Sequence, residues 1–203
     1  QAGFKKGFSE TRWTLFFDIV RILREKKPEA FFLENVRHLL KHDDWKTFAT
    51  IKRVLEEELG YSFFYKIVKA SDFWLPQHRP RLFMVGFLDK SIDFKFPEPF
   101  DLKMTMSDIW WWNCEKKIGF TLRVGWKWSK IDDRRNWDAY MVNGQIKKLS
   151  SKEGKKMQGL PEDFAFPVSE NQAMKQLGNS VAIPAIQAVA ESIINYIENV
   201  KSK

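Results

Sequence analysis

The sequence predicts an α/β fold, in which helices pack against a sheet of buried strands. Apolar residues recur at helical spacing over residues 14–27 and again over residues 43–59. Short apolar runs that are typical of buried strands lie between and after these two segments. The chain of 203 residues is 44% hydrophobic, which is enough for one core with a small appended lobe.

The elements of the first 90 residues can be placed in order. The first helix covers residues 14–27 and ends before Pro28. The run EAFFLEN (29–35) follows as a short buried strand, and the second helix ends at Gly60 as its C-terminal cap. The runs YSFFYKIVKA (61–70) and RLFMVGFL (81–88) are the next expected strands, separated by the proline-rich corner LPQHRPR.

The rest of the chain is expected to form a lobe and a returning helix. Over residues 91–165 the pattern weakens into short strand-like pieces, turn signals such as Asn143-Gly144, and a cluster of aromatic and basic residues. Residues 166–203 are expected to return to the first domain, through a C-terminal helix that Ser180 caps and that holds Pro184 near its first turn. The predicted division is therefore 1–90, 91–165 and 166–203.

Composition restricts the possible partners. The net charge of +8 favours an anionic partner such as nucleic acid, although surplus lysine can also serve solvation alone. The single cysteine, Cys114, cannot form an internal disulfide, and we find no apolar run long enough to cross a bilayer or act as a signal peptide. We expect a cytoplasmic location, no membrane and no metal site.

Glu34 and Asn35 are the first candidate site residues. They close the strand EAFFLEN, and ligands of open α/β sheets bind at the carboxyl ends of strands. The alternative is that Glu34 caps the following turn or pairs with Arg37.

The stretch QHRPR gives a second candidate. Gln77, Arg79 and Arg81 alternate along an extended entry into a strand, so we expect their side chains to lie on one side. The two guanidiniums could hold a carboxylate such as Glu34, a phosphate, or the carbonyl oxygen of a base. The alternative is an exposed, solvated edge.

The stretch NQAMKQLGNSVAIPAI gives a third. Gly178 and Asn179 permit a tight turn, after which Ser180 is expected to open a helix. Backbone N–H groups at a helix start suit a polar or anionic ligand. Most helix starts, however, bind only their own cap.

In this order, the motifs resemble those of the cytosine-5 DNA methyltransferase family. LENV resembles its ENV motif, QHRPR its QxRxR motif, and QLGNSV its GNSV motif. KKLSSKEGKKMQGLPEDF (147–164) is similar to the family's RxLTxRExxRxQGFPDDF segment. The resemblance covers nearly the whole chain and implies a Rossmann-like class I S-adenosylmethionine-dependent methyltransferase sheet with a small, irregular target-recognition lobe.

The resemblance also implies a reaction, in which a methyl group passes from S-adenosylmethionine to C5 of a flipped-out cytosine in double-stranded DNA, as in restriction-modification systems. The family attacks C6 with a cysteine thiolate, and a carboxylic acid at N3 stabilises the intermediate. Glu34 matches that acid, and Asn35 beside it belongs to the same expected catalytic motif. Arg81 would hold the cytosine O2, and Arg79 would orient the glutamate or nearby backbone. The expected cofactor-binding residues are Asn179, Ser180 and Val181.

Nucleic-acid contacts are expected at Gln77 and in the variable region between residues 82 and 148. The candidates in that region are Arg123, Lys127, Lys130, Arg134 and Arg135. A solvated basic surface is the alternative for each of them. By resemblance to DNA-modifying enzymes, the location would be close to the nucleoid.

Two family motifs do not occur in these residues, the PCQ nucleophile and the FxGxG cofactor glycines. QAGFKKGFSETRWTLFF resembles the stretch that follows PCQ, and Cys114 has no such context, so we expect no catalysis from these residues alone. We expect these residues to be either a fragment of a longer enzyme or one half of a split enzyme, and in the second case a separate N-terminal half would supply the missing motifs. The alternatives are a non-catalytic nucleic-acid-binding subunit of a split enzyme, and an RNA-directed relative, whose typical Cys-Phe-Thr run does not occur.

Tryptophan is unusually frequent, with nine residues. Trp13 and Trp74 stand where the resemblance predicts glycine, and Trp126 and Trp128 lie in what resembles a glycine-rich turn. We expect several of these to be glycines encoded by UGA codons that the source organism reads as glycine. The alternative is an aromatic patch that stacks on bases. Trp137 fits its context as a tryptophan.

Overall fold

The computed structural model describes residues 10–124 and 130–201, with side chains from Leu15 onward. The chain divides into two compact units. The first comprises Gln1–Ile67, Arg81–Phe96 and Ala190–Lys203, and the second comprises Val68–Pro80 and Pro97–Val189. The expected boundary at residue 90 lies near the junction at Phe96, whereas two stretches that the sequence assigns to the first domain, residues 68–80 and 166–189, belong to the second unit.

Helices and strands alternate at the start of the described chain, which confirms the predicted α/β class. The strands form a sheet in the order β1-β3-β2, and β1 and β3 are antiparallel. The elements are α1 (Glu10–Lys26), β1 (Ala30–Val36), a 3-10 turn (Arg37–Lys41), α2 (Lys46–Arg53) with a π-helical extension (Val54–Glu58), β2 (Phe64–Lys69) and β3 (Pro80–Phe87).

The core of the first unit fixes β1 beside β3. Phe31 of β1 is buried with residues of α1, α2 and β3 in one cluster. Gly86 of β3 is required there, because a Cβ at this position would lie 2.4 Å from both the Phe31 ring and the Ser62 carbonyl oxygen. The close approach of Phe31 to the backbone of β3 sets the register that carries the candidate site.

The second unit has its own core. Its elements are α3 (Met106–Trp110), β4 (Ala139–Val142), β5 (Gln145–Lys148), α4 (Ser151–Gln158) and α5 (Glu170–Asn179). Asn143 and Gly144 connect β4 to β5 with positive φ angles of 49° and 72°, as the Asn-Gly signal predicts. A capping box between Ser150 and Glu153 starts α4. The buried cluster includes Met106, Cys114, Leu122, Trp137, Tyr140, Met157, Met174 and Leu177.

Ser180 differs from its prediction, because it ends one helix and does not cap the next. α5 continues through Gly178 to Asn179, and the Ser180 N–H donates to the Gln176 carbonyl oxygen. The Ser180 hydroxyl donates to the Leu177 carbonyl oxygen at 2.9 Å. These bonds satisfy carbonyls that the end of α5 leaves without helical partners. The last helix, α6 (Ile183–Lys201), begins three residues later, with Pro184 in its first turn.

The segment Glu170–Lys201 is long and apolar enough to cross a membrane by length and composition, and its most apolar 18-residue stretch has a mean hydropathy of 1.3. It comprises two helices, α5 and α6, separated at residues 180–182. Each helix has a buried stripe, with Ala173 and Leu177 on α5 and Val189 and Ile193 on α6. Amphipathic helices of a protein core give this composition without a bilayer.

Candidate active site

Glu34 and Arg81 form an ion pair across two strands of the first unit. Arg81 lies opposite Val36 in the β1–β3 register, and Glu34, two residues before Val36, is on the same face. This diagonal relation brings Arg81 Nε to 2.9 Å from Glu34 Oε1. Both side chains are largely covered, with exposed fractions of 15% for Arg81 and 26% for Glu34.

The electrostatics of this pair follow from its partial burial. Burial lowers the pKa of the Arg81 guanidinium, while the charge of Glu34 and its hydrogen bond raise it. Arginine remains protonated at neutral pH despite such a shift. The result is a fixed, partly desolvated cation that orients the carboxyl group of Glu34.

Asn35 does not join this pair. Side chains alternate along a strand, so Asn35 lies on the face opposite Glu34. Its side chain is exposed, and its Oδ1 accepts a hydrogen bond from the Val36 N–H at 2.9 Å. The structure therefore brings together Glu34 and Arg81 but leaves Asn35 at the end of the strand.

Arg79 lies in the second unit and holds backbone carbonyls. Its side chain is 2% exposed. Nη1 donates to the Leu122 carbonyl oxygen at 3.1 Å, and Nη2 donates to the carbonyl oxygens of Gly178, at 3.0 Å, and Ser180. The sequence predicts that Arg79 orients either Glu34 or nearby backbone, and all three of these hydrogen bonds are to backbone carbonyl oxygens. The guanidinium joins the segment at Leu122 to the end of α5.

Gln77 is fully buried in the same unit. Its Nε2 donates to the Met157 carbonyl oxygen at 2.8 Å and to Gln158 Oε1 at 3.3 Å, and its Oε1 accepts from the Leu122 N–H at 3.1 Å. The sequence predicts a nucleic-acid contact at this residue. In this conformation the side chain has no exposed surface for such a contact, and its amide binds backbone groups through both Nε2 and Oε1.

Gln158 is a buried polar residue to which the sequence analysis assigns no role. Its Nε2 donates to the Leu177 carbonyl oxygen at 2.7 Å and to Ser180 Oγ at 2.9 Å, while its Oε1 accepts from Gln77. The side chain is fully buried. The motif segment KKMQGLPEDF contains it, but only the fold shows that its amide connects QHRPR to GNSV.

Gly178 explains why the end of α5 can approach the segment at Arg123. A Cβ at Gly178 would lie 2.6 Å from the Arg123 carbonyl carbon and 2.8 Å from the Val124 nitrogen. Such distances are far below normal contact, and both atoms belong to the backbone. The glycine therefore allows two backbones to pack directly, as Arg79 and Gln158 require.

The segment from Asn179 to Val181 fits a polar cofactor in part. Asn179 is exposed and can offer both donors and an acceptor, and Val181 is half-buried. The Ser180 hydroxyl already donates to Leu177 and accepts from Gln158. Asn179 and Val181 therefore remain candidates for direct contact, whereas the Ser180 hydroxyl is engaged in holding the turn.

The predicted nucleic-acid contacts of the second unit are exposed where they are described. Arg123, Lys130, Arg134 and Arg135 all face solvent, and Lys127 lies outside the described residues. Arg135 binds Asp133 in a fork, with Nε–Oδ1 and Nη2–Oδ2 distances of 3.1 and 2.8 Å. These hydrogen bonds lower the pKa of Asp133 to about 2.

Cys114 does not have the environment of a nucleophile. It is 7% exposed and belongs to the apolar cluster of the second unit. Burial raises the pKa of its thiol, which disfavours the reactive thiolate. Within residues 10–124 and 130–201, no group of three or more His, Cys, Asp or Glu is placed to hold a metal ion.

Comparison with known proteins agrees with this arrangement of motifs. A family model described as C-5 cytosine-specific DNA methylase matches residues 1–118 and 115–195. The chain belongs to this family. The Type II methyltransferase M.SsoII of Shigella sonnei is 39% identical over 234 aligned positions, which cover 98% of this chain and 62% of that protein. M.NlaX of Neisseria lactamica is 38% identical, over 95% of this chain and 71% of its own length.

Solved structures of methyltransferases share the fold. The S. pombe Dnmt2 methyltransferase has a TM-score of 0.68 at 15% identity, covering 98% of this chain and 75% of that one. A DNA modification methyltransferase encoded within an E. coli prophage has a TM-score of 0.66 at 17% identity, over 95% of this chain and 77% of its own. The class I methyltransferase fold predicted for this family member is thereby confirmed. The chain spans 62% and 60% of the first two curated relatives.

Proposed function

We propose that this chain forms part of a DNA cytosine-5 methyltransferase of the restriction-modification type. The reaction would transfer a methyl group from S-adenosylmethionine to C5 of a flipped-out cytosine in double-stranded DNA. The observation that carries this proposal is the 2.9 Å pair between Glu34 of LENV and Arg81 of QHRPR. Family membership supports the same reaction.

The Glu34–Arg81 pair is complementary to one edge of cytosine. Addition at C6 moves electron density toward N3 and the O2 carbonyl oxygen. Arg81 would donate to O2, and Glu34 in its acid form would donate to N3. The neighbouring guanidinium would favour the carboxylate, whereas burial would favour the acid, so proton uptake by Glu34 would accompany entry of the base.

Binding of S-adenosylmethionine would involve the end of α5. When bound, this cofactor supplies the methyl group. Asn179 and Val181 would contact it, and the hydroxyl of Ser180 would hold the turn between them. Arg79 and Gln158 would keep this turn in place through the backbone carbonyls and the hydroxyl that they bind.

Binding of DNA would use the exposed cations of the second unit. Arg123 and Arg134 are the strongest candidates for phosphate contacts, since Arg135 is already paired with Asp133. Each phosphate contact releases counterions from the DNA, so such binding would weaken as the salt concentration rises. The enzyme would act in the cytoplasm, at the nucleoid. A PCQ nucleophile and FxGxG glycines would come from a segment outside these residues, either on the same polypeptide or on a separate half.

The test is methyl transfer by the completed enzyme. The chain is joined to, or mixed with, a family segment that carries PCQ and FxGxG, and is incubated with labelled S-adenosylmethionine and duplex DNA. Nucleoside digestion and mass spectrometry should show 5-methylcytosine, and the same mixture with Glu34→Gln should show little. Methylation of tRNA but not DNA, or methylation at the exocyclic N4 of cytosine, would refute the proposal.

A further inference from the structure

Three tryptophans have a backbone conformation that suits glycine. Trp45, Trp74 and Trp111 have φ angles of 71°, 69° and 57°. A bulky residue in this left-handed region is an outlier, because its Cβ lies too close to the following carbonyl oxygen. The other described non-glycine residues with positive φ are Lys27, Asp43, Asp44 and Asn143. Asp and Asn visit this region readily, but tryptophan does not.

Two of these tryptophans lie where helices normally end in glycine. The Trp74 N–H closes the 3-10 turn Ala70–Phe73 by donating to the Ala70 carbonyl oxygen. The Trp111 N–H does the same for α3 with the Ser107 carbonyl oxygen. Gly159 fills the equivalent position after α4, with a φ angle of 74°. The same backbone cap therefore uses glycine at one helix end and tryptophan at the other two.

Burial of the rings does not account for the conformation, although the Trp74 ring stacks on Phe100 with ring centres 5.1 Å apart. Trp111 is 74% exposed, Trp45 is 52% exposed and Trp74 is 37% exposed. By contrast, Trp110 and Trp137 are 9% and 3% exposed and belong to the core of the second unit. Neither Trp110 nor Trp137 has a positive φ. Trp112 is 56% exposed and does not have a positive φ either, so the backbone angle, and not exposure alone, separates Trp45, Trp74 and Trp111 from the other described tryptophans.

We infer that positions 45, 74 and 111 are glycine in the protein that the organism makes, and that positions 110 and 137 are tryptophan. The first three codons would be UGA, read as glycine, and the last two UGG. The structure thereby adds Trp45 and Trp111 to the positions that the sequence indicates. Trp13 lies in α1, where the backbone does not require glycine, and Trp126 and Trp128 lie outside the described residues.

The inference removes a candidate binding surface. Lys156 lies 4.5 Å from the Trp111 ring centre and Lys103 lies 4.7 Å from that of Trp74, an arrangement that could stack on unpaired bases. If these positions are glycine, neither ring exists. The aromatic patch and the recoded glycines are therefore mutually exclusive explanations of the same residues.

The decisive measurement is mass spectrometry of the protein isolated from its own organism. Cleavage after lysine releases the peptide MTMSDIWWWNCEK, which contains positions 110 and 111 side by side. Fragment ions should read tryptophan at 110 and glycine at 111, so that one peptide contains its own control. Peptides covering positions 45 and 74 should also contain glycine. Tryptophan at positions 45, 74 and 111 would overturn the inference.

A second measurement tests the backbone argument on recombinant protein. At each position, the Trp→Gly and Trp→Ala variants both lose the ring, so their difference isolates the effect of the positive φ. We expect W45G and W111G to melt about 2–4 °C above W45A and W111A. The control is Lys175, exposed in the middle of α5, where the alanine variant should melt above the glycine variant. Equal or higher melting temperatures for W45A and W111A would show that these positions do not require glycine.

Discussion

Replacing Gly178 with alanine is expected to destabilise the second unit, although alanine is the better helix former. The new Cβ would lie 2.6 Å from the Arg123 carbonyl carbon, 2.7 Å from its oxygen and 2.8 Å from the Val124 nitrogen. Ordinary contact begins at 3.4 Å, so the segment at Arg123 would have to move by roughly 0.8 Å. Arg79 resists that movement, because its guanidinium binds the carbonyl oxygens of both Leu122 and Gly178.

The magnitude follows from two opposing effects. Overpacking against backbone that cannot rotate away costs about 3 kcal/mol, the upper end of the usual range. The higher helix propensity of alanine returns about 1 kcal/mol. We therefore expect G178A to lower the free energy of unfolding by about 2 kcal/mol, which corresponds to a fall in Tm of about 4–8 °C for a chain of this size.

Urea and thermal unfolding, followed by far-UV circular dichroism, measure this change on the chain without any catalysis. The matched control is G154A, also at a helical glycine, where the new Cβ would meet Leu177 Cδ1 at 2.9 Å. That methyl group belongs to a side chain that can rotate, so G154A should remain within about 1 kcal/mol of the parent protein. Equal stability of G178A and G154A would show that α5 does not pack directly on the Arg123 backbone.

Three further results are expected. In the completed enzyme, E34Q should slow single-turnover methyl transfer about 100-fold or more without weakening cofactor binding, and an unchanged rate would remove Glu34 from the reaction. R79M leaves three buried carbonyl oxygens without their hydrogen-bond donor, so it should lower the free energy of unfolding by at least about 3 kcal/mol in urea titrations. A loss below about 1 kcal/mol would contradict the structural role of Arg79. The pKa of Asp133 is depressed to about 2 by its hydrogen bonds to Arg135. Its small contribution to stability is therefore complete above the unfolded pKa of about 3.9 and is lost as the pH falls through about 2. Carboxyl NMR titration should show a midpoint at about 2, and R135A should raise that midpoint.

Local patterns predicted most elements of the first unit. The strand EAFFLEN is observed as Ala30–Val36 and the strand RLFMVGFL as Pro80–Phe87, because short apolar runs bounded by turn signals favour strands. The second strand is buried along most of its length, whereas Phe31 is the one buried residue of β1. The same patterns did not reveal that β1 and β3 are antiparallel. Strand direction depends on the path of the chain between the two strands, and no side-chain periodicity records it.

The candidate site was only partly predictable for a similar reason. Glu34 and Arg81 could be proposed as partners because carboxylate and guanidinium are complementary, and the register places them 2.9 Å apart. Gln158 could not be recognised, since its partners Gln77 and Leu177 lie 81 and 19 residues away in the sequence. Its chemistry is that of any surface glutamine until the fold surrounds it.

The contacts of Arg79 also determine when the chain can finish folding during synthesis. Two of its acceptors, the carbonyls of Gly178 and Ser180, follow it by 99 and 101 residues. Until the ribosome has released Ser180, the guanidinium cannot be buried without losing hydrogen bonds, and the second unit cannot close around it. A product that terminates early, for example at a UGA codon read as a stop, would retain a solvated cation where its core should form. Cellular proteases would then distinguish such products from complete chains without any specific signal in the sequence.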